Sequence, residues 1–298
     1  MSDATRGHAA MLLFSALVAG SFPLGAWVAN DIAPIALNAA RFWLAALVLG
    51  LALLWRGGAA GAGAAPWRYL VLGGVFAVYF VLMFEGLKTA APVSAAAVFT
   101  LTPPMAALFG WLLLRQVTTV RIAVALALGG AGARWVIFRA DLAALLRLEV
   151  GRGEAIYFVG CAAHALYTPM VRRLNRGETA LAFTFGTLVA AALVVTVVGA
   201  PAIRATAWWA LPGRVWIAIG YTALFASAAT FTLLQFASLR LPSAKVMAYT
   251  YLVPSWVALW VLTLGGAAPP LAILPGVALT VAALILLLRE EGQAIARK

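Results

Sequence analysis

Apolar residues run in ten long blocks along the chain, and short polar or basic stretches separate one block from the next. A helix that crosses the hydrocarbon layer needs about 20 predominantly apolar residues. The pattern therefore predicts an all-α integral membrane protein with ten transmembrane helices and no room for a soluble domain. We number these predicted spans 1 to 10 in chain order, at residues 9–30, 34–55, 67–88, 92–114, 119–138, 153–173, 178–200, 213–239, 242–264 and 268–288.

The second half of the chain repeats the first half weakly but in the same order. Residues 80–104 align with residues 231–255 at a shift of 151 positions, and spans 1 and 5 align with spans 6 and 10 at a shift of 146. Because one copy holds five spans, an odd number, the second copy must run through the membrane upside down. The sequence therefore predicts two inverted five-helix repeats. The matched pairs include Phe80 with Phe231, Pro103 with Pro254, Pro23 with Pro169, and Gly130 with Gly276.

The spans and the repeat divide the chain into five parts, and the basic residues orient them. Thirteen Lys and Arg residues near the span ends fall on the side of the N-terminus and six on the opposite side. An excess of such residues marks the cytoplasmic side, so both termini are expected to be cytoplasmic. The parts are the N-terminus 1–8, the first repeat 9–138, an extracytoplasmic amphipathic connector 139–152, the second repeat 153–288 and the C-terminus 289–298.

Composition agrees with a membrane setting and limits the available chemistry. Hydrophobic residues make up 65% of the chain and charged residues 10%, with a mean hydropathy of +1.01, whereas a soluble domain keeps roughly a quarter of its residues charged. The net charge of +12 does not indicate nucleic-acid binding, because the basic residues punctuate apolar blocks and form no single basic face. A lone Cys161 excludes an intramolecular disulfide and a thiolate metal cluster. No metal or other cofactor is expected.

Catalytic constellations are missing from the sequence. With His8 and His164 as the two histidines, one cysteine and Glu85 as the one clearly intramembrane acid, neither a nucleophile with its base nor a pair of carboxylates can be assembled. No G-x-x-x-x-G-K-[ST] motif is present, which argues against direct use of ATP. The chain is therefore not expected to be an enzyme. A channel or a passive bundle stays open at this point, since low charge and small residues fit it as well.

The fourth span of each half carries prolines at its start and near its middle, in "APVSAAAVFTLTPP" and "LPSAKVMAYTYLVP". With ten short helices in two halves, the chain resembles the drug/metabolite transporter superfamily, and within it the EamA-type exporters, most closely the bacterial aromatic amino acid exporters. The resemblance covers residues 9–288. It implies a basket-like bundle in the bacterial inner membrane, a central cavity between the halves, alternating access, and export of amino acids, related metabolites or toxic organic compounds.

Prolines inside the spans are candidate hinges. Pro103, Pro104 and Pro254 lie about halfway along spans 4 and 9. Similar breaks are expected at Pro23 with Gly20 and Gly25 in span 1, and at Pro169 in span 6. A proline within a helix frees a backbone carbonyl, which at membrane depth only protein or cavity water can satisfy. Transporters place substrate sites and bending points at such broken helices. A static kink with no part in motion is the alternative.

Four ionisable side chains at membrane depth, Arg41, Glu85, Arg134 and His164, are functional candidates, because such groups are costly in lipid. Lys245 lies at the inner end of span 9. His164, near the midplane of span 6, is expected to bind a substrate carboxylate, to carry a proton, or to be a satisfied core histidine. Glu85, near the outer end of span 3, either binds a substrate ammonium or couples a proton, or it forms a structural ion pair with Arg41 of span 2. Arg134 and Lys245 are expected to snorkel to the membrane surface, unless Lys245 turns its ammonium into the cavity.

An aromatic substrate needs flat apolar walls with a few polar groups. Tyr79 and Met83 share one helix face, which suits such a wall. For each residue taken alone, packing in the core or against lipid is the alternative. The candidate substrate-binding residues are Tyr79, Met83, Phe99, His164, Tyr167, Gln235, Lys245, Tyr249 and Tyr251.

We therefore expect an inner-membrane secondary transporter that exports amino acids, aromatic or other neutral hydrophobic ones, and related metabolites by alternating access. Nucleotide sugars would need a basic, phosphate-binding cavity, and the intramembrane bases are few. Export of drugs or organic cations by proton antiport is the alternative. The expected partners are a small-molecule substrate and the lipid bilayer.

Overall fold

The computed structural model describes residues 3–56, 65–117, 119–137, 150–267 and 270–296, with side chains described except at residue 137 and beyond residue 286. These residues form helices and the turns that connect them, with no β-strand among them. Most of the predicted connector, residues 139–149, lies outside the described residues.

Each predicted span corresponds to one helix or to successive helical pieces. Five spans of the described chain are unbroken, namely Pro34–Trp55 (span 2), Trp67–Gly86 (span 3), Val120–Ile137 (span 5), Arg152–Leu174 (span 6) and Ala180–Val198 (span 7). Span 10 begins with a short 3₁₀ helix, Leu271–Ile273, and continues as the α-helix Leu274–Ala296. The other four change pitch or break, namely Asp3–Ala19 and Ser21–Val28 (span 1), Pro92–Phe99 and Thr102–Leu114 (span 4), Gly213–Ala223, Leu224–Ala229 and Thr230–Ser238 (span 8), and Ser243–Ala248, Tyr249–Leu252 and Val253–Thr263 (span 9).

Most of these helices are long enough to cross a membrane. Seven helical stretches of the described residues, those of spans 1 to 4 and 7 to 9, are long and apolar enough to cross a membrane by length and composition. A shorter apolar helix, Leu271–Leu286, falls in span 10. The helices at spans 5 and 6 complete the predicted ten.

The central prolines of spans 4 and 9 begin a new helical piece after a break. Pro103 stands in the first turn of Thr102–Leu114, and Pro254 in the first turn of Val253–Thr263, where a missing N–H leaves no helix bond unmade. The Phe99 carbonyl, which would have bonded the N–H that Pro103 lacks, accepts the Thr102 hydroxyl at 2.7 Å. Side chains of the protein thus satisfy the freed backbone, as a membrane interior requires.

Span 6 differs from this pattern. The predicted break at Pro169 is wrong, because the helix Arg152–Leu174 runs through this proline. One proline removes a single backbone bond, and the bonds on either side hold the helix together when neighbouring helices pack around it. In span 1 the break falls at Gly20, three residues before Pro23. A Cβ at Gly20 would lie 2.3 Å from the Tyr221 hydroxyl.

Small residues bring the helices into backbone contact. A Cβ at Gly73 of span 3 would lie 2.6 Å from the backbone nitrogen of Ala191 in span 7. Spans 5 and 10 meet in the same way, since a Cβ at Gly132 would lie 2.5 Å from the Gly276 carbonyl. Such close approach gives packing contacts where lipid supplies no hydrophobic drive between helices.

The two halves meet at the centre of the bundle. The hydroxyls of Thr102 in span 4 and Thr250 in span 9 lie 3.2 Å apart, at the breaks of these two spans. Phe80 and Phe231, which the repeat pairs with each other, face one another with ring centroids 5.7 Å apart. Matching positions of the two repeats therefore flank one central region.

Candidate functional site

A set of eight rings fills this central region, and we call it the aromatic cluster. Four rings come from spans 3 and 4 of the first half and four from spans 6 and 8 of the second half. Each side chain is at most 1% exposed. The members are Phe76, Tyr79, Phe80, Phe99, Tyr157, His164, Tyr167 and Phe231.

His164 lies in the middle of the aromatic cluster. Its ring stacks on Tyr79 at a centroid distance of 4.2 Å and an angle of 20°, and the Phe99 ring centroid lies 5.3 Å away. Neither imidazole nitrogen has a hydrogen-bond partner within the described chain. A buried polar group without a partner costs about 1–3 kcal/mol, so this arrangement favours a ligand that supplies the missing bond.

Two polar contacts accompany the imidazole. Gln235 donates from Nε2 to the Tyr167 hydroxyl at 2.9 Å, while its Oε1 has no partner among the described residues. The hydroxyls of Tyr79 and Tyr157 lie 3.2 Å apart. The cluster therefore offers flat apolar walls with a few polar groups, as pockets for small organic molecules do.

Helical spacing explains how the sequence brings these rings together. In span 6, Tyr157, His164 and Tyr167 are seven and three residues apart, so they share one face of the helix. In span 3, Phe76, Tyr79 and Phe80 follow the same rule. Helical spacing from a predicted site residue is therefore the sequence signal that could have identified three further members, Phe76, Phe80 and Tyr157. For Phe231 of span 8, the signal is its match with Phe80 in the repeat.

Arg41 of span 2 is fully buried beside the aromatic cluster, with its guanidinium 3.9 Å from the centroid of the Phe80 ring. The alternative in which Arg41 pairs with Glu85 is wrong. Glu85 instead bonds Lys88 at 2.8 Å with a partly exposed side chain, because the two residues are three apart at the outer helix end. The fold thus separates Glu85 from the rings.

The other predicted residues divide between the cluster and its surroundings. Tyr79, Phe99, His164, Tyr167 and Gln235 come together as described, and Met83 is fully buried in the same span as Tyr79.

The predicted residues of span 9 contact parts of the protein outside the aromatic cluster. The Tyr249 hydroxyl lies 3.0 Å from His8 Nδ1, and the Tyr251 ring covers Gly129 of span 5, where a Cβ would lie 2.2 Å from it. Lys245 is buried, so the expectation that it snorkels into water is wrong, because the short first piece of span 9 packs inside the bundle.

Polar contacts join the two repeats at both ends of the bundle. At the end that holds Pro34, the Arg214 guanidinium donates to both oxygens of Asp31 at 2.7 and 2.8 Å and holds the pKa of that carboxyl below its usual range. At the opposite end, Arg68 bonds Glu178 at 2.6 Å. The rings between these two ends are closed to solvent.

The comparisons with known proteins now decide the family. A protein-family model described as the EamA-like transporter family matches residues 5–138 and 151–289. The chain belongs to the EamA-like transporter family. The two matches cover the two halves, so the duplicated ten-helix fold is confirmed, and this EamA-family chain is a multi-pass membrane transporter and not an enzyme. A membrane transporter of this kind acts on a small-molecule substrate.

Two individual proteins are similar to this transporter. An uncharacterized transporter of Bacillus subtilis (strain 168), YyaM, is 28% identical over 221 residues, which cover 73% of this chain and 72% of that protein. A solved structure titled "Crystal structure of protein" is 22% identical, with a TM-score of 0.72, and the match covers 100% of this chain and 99% of the other. The second similarity concerns the fold alone.

Proposed function

We propose that this transporter exports neutral amino acids with aromatic or other large apolar side chains, together with related metabolites, across the bacterial inner membrane by alternating access. Both termini lie in the cytoplasm, and residues 9–138 and 153–288 form the two moving halves. Pro23, Pro103, Pro104 and Pro254 are the candidate bending points between them.

One observation carries the substrate proposal, namely the aromatic cluster with the unpartnered imidazole of His164 at its centre. The walls come from both halves, so a substrate held there would contact both and would respond to their relative motion. Aromatic rings bind flat apolar side chains through large buried area. The imidazole and the Gln235 carbonyl are free to bond a polar group of the substrate.

The test is flux through the purified protein in liposomes with a panel of labelled amino acids. Saturable flux of phenylalanine, tyrosine or leucine is expected. Tyr79→Ala and His164→Ala should each lower it by about tenfold or more, because each removes a wall or the central polar group of a closed site. Phe158→Ala is the matched control, since Phe158 lies in span 6 but faces outward with a side chain 46% exposed, and its flux should stay near that of the native protein.

The remaining outcomes of the panel separate the alternatives. If flux follows a pH gradient and either His164→Gln or Glu85→Gln abolishes this dependence, the replaced residue is assigned to proton coupling. Flux that does not respond to the gradient would indicate a facilitated exporter. Transport of organic cations without any amino acid would replace the proposal with drug export. Equal loss in Phe158→Ala and Tyr79→Ala would contradict the placement of the site.

A further inference from the structure

Resting on the proposed function, we infer that Arg41 is the carboxylate-binding residue of this transporter and restricts its substrates to organic acids with an apolar or aromatic body, amino acids among them. The site is formed by the Arg41 guanidinium and the adjacent rings of Phe80 and Tyr79.

Arg41 is a buried cation that no acid balances within the described chain. It lies seven residues into the helix Pro34–Trp55, which at 1.5 Å per residue is about 10 Å from the helix end. Its hydrogen-bond partners are all neutral: Asn38 Oδ1, Ser227 Oγ and the backbone carbonyls of Thr222 and Ala226. A charge at this depth is expensive, and residues that carry it usually mark a substrate or ion path.

The surrounding backbone is shaped to hold the guanidinium. Span 8 changes to a π-helix at Leu224–Ala229, a local form that is rare and is frequently found at functional sites. From this segment and the turn before it, the carbonyls of Ala226 and Thr222 accept from Nη2 at 3.0 and 3.4 Å, and Ser227 Oγ accepts from Nε and Nη2 at 3.0 and 2.8 Å. These bonds orient the side chain and leave its charge uncompensated.

One side of the guanidinium is weakly occupied. The single hydrogen bond from Nη1 goes to Asn38 Oδ1 at 3.4 Å, near the limit of such a bond. Nε and Nη2 already donate to span 8, so the two N–H groups of Nη1 are the donors that a ligand can reach. A carboxylate that displaces Asn38 would accept charge-assisted bonds from Nη1 and balance the buried charge.

The rings connect this charge to the aromatic cluster. The guanidinium lies on Phe80, the centroid of the Phe80 ring lies 4.5 Å from that of Tyr79, and the centroid of Tyr79 lies 4.2 Å from that of His164. A small organic acid bound at Arg41 would therefore place its apolar body among these rings. An organic cation would meet a fixed positive charge at the same place, so cationic substrates are disfavoured.

A purely structural role predicts a different behaviour. If Arg41 only joined spans 2 and 8, its loss would impair all substrates alike, because it would act on the fold. A carboxylate-binding role predicts a selective loss of acids. The two roles are therefore separated by comparing aromatic ligands that carry a carboxylate with one that lacks it.

The experiment uses phenylalanine, phenylacetate and phenylalaninamide as competitors of labelled phenylalanine uptake, and as stabilisers of the detergent-solubilised protein against heat. In the native protein both acids should compete and raise the unfolding temperature, and the amide should do neither. Arg41→Gln should weaken the acids by about tenfold or more, the size expected for lost charge-assisted bonds. Arg134→Gln, which removes an exposed arginine of span 5, should leave the preference for acids unchanged.

Several outcomes would overturn the inference. Equal competition by acid and amide in the native protein would do so, as would an equal loss for both in Arg41→Gln. Should Arg41→Gln fail to fold, Arg41→Lys keeps a charge but removes the Nη1 donor, and an unchanged affinity for both acids would count against the inference. If phenylalanine is not transported but phenylacetate stabilises the native protein and not Arg41→Gln, the amino acid proposal fails and the carboxylate site stands. If phenylalanine is transported and the amide competes equally, the amino acid proposal stands and the carboxylate site fails.

Discussion

Two buried arginines of this transporter are stabilised in different ways. Arg68, at the start of span 3, bonds the carboxylate of Glu178 at 2.6 Å, and both side chains are almost fully buried. Within the described part of the chain, Arg41 has neutral hydrogen-bond partners only. The first arrangement is a closed ion pair with a role in holding the fold, whereas the second leaves a charge available to a ligand.

The buried Arg68–Glu178 ion pair is expected to contribute to the free energy of unfolding. Glu178→Gln leaves the Arg68 guanidinium buried without its acid, which costs about 3–5 kcal/mol in buried pairs, and the unfolding temperature in detergent should drop clearly. Lys88→Gln breaks the exposed pair with Glu85 and should change stability by less than about 1 kcal/mol. Equal effects of the two substitutions would show that Arg68 finds another partner.

The same pair gives stability a pH dependence. Burial raises the pKa of the Glu178 carboxyl, but hydrogen bonds from Arg68 and from the backbone N–H of Arg176 outweigh it, and the pKa is lowered overall. A carboxyl with a lowered pKa in the folded state stabilises fully above its unfolded pKa, about 4.3, and this contribution is lost as the pH falls through the folded pKa. The native protein should therefore lose stability on acidification below about pH 4.3 by an amount that Glu178→Gln does not show.

At the residue scale, the sequence identifies the ionisable side chains within the membrane but does not predict which residues they contact. Arg41 and Glu85 both lie in the outer halves of their spans, which allowed a pair between them. Which face of a helix meets which neighbour depends on how ten helices pack, and the apolar pattern of a membrane helix does not reveal this because most of its faces are apolar. Counting residues along span 6 predicts that His164 lies near the midplane. That its imidazole has no hydrogen-bond partner in the described chain follows from the packing of the helices.

At the scale of elements, adjacent glycines in span 3 offer a matched test of packing. A Cβ at Gly73 would lie 2.6 Å from the Ala191 nitrogen, whereas a Cβ at Gly74 would meet nothing within 4 Å. Gly73→Ala should destabilise by about 1–3 kcal/mol, because backbone of span 7 would have to move. Gly74→Ala should be neutral or slightly stabilising, since alanine favours the helix. Heat unfolding of the two variants measures the difference, and a stable Gly73→Ala would mean that spans 3 and 7 pack otherwise.

Helix positions and the central breaks were largely readable from the sequence, because apolar block lengths and prolines act locally. The breaks in spans 4 and 9 precede Pro103 and Pro254, as the repeat predicts. The π-helix at Leu224–Ala229 has no such local signal. The Ala226 carbonyl and the Ser227 hydroxyl of this segment accept from Arg41 of another span, so tertiary contacts accompany the change of pitch.

At the scale of the whole molecule, the two halves meet through elements that the repeat makes equivalent. Phe80 faces Phe231, and the breaks of spans 4 and 9 meet at Thr102 and Thr250. In the described residues the aromatic cluster between them is closed to solvent, and pairs such as Asp31 with Arg214 and Arg68 with Glu178 join the halves at opposite ends. Under the proposed alternating access, one set of end contacts opens while the other holds.

The measurement that tests this account most directly is counterflow of labelled phenylalanine in liposomes loaded with unlabelled phenylalanine. A carrier that alternates between the two sides should concentrate the label transiently above its outside level, and replacing Pro103 and Pro254 together with alanine should slow this exchange with little change in unfolding temperature. Label that only equilibrates down its gradient, with no transient accumulation, would identify a channel and contradict the account.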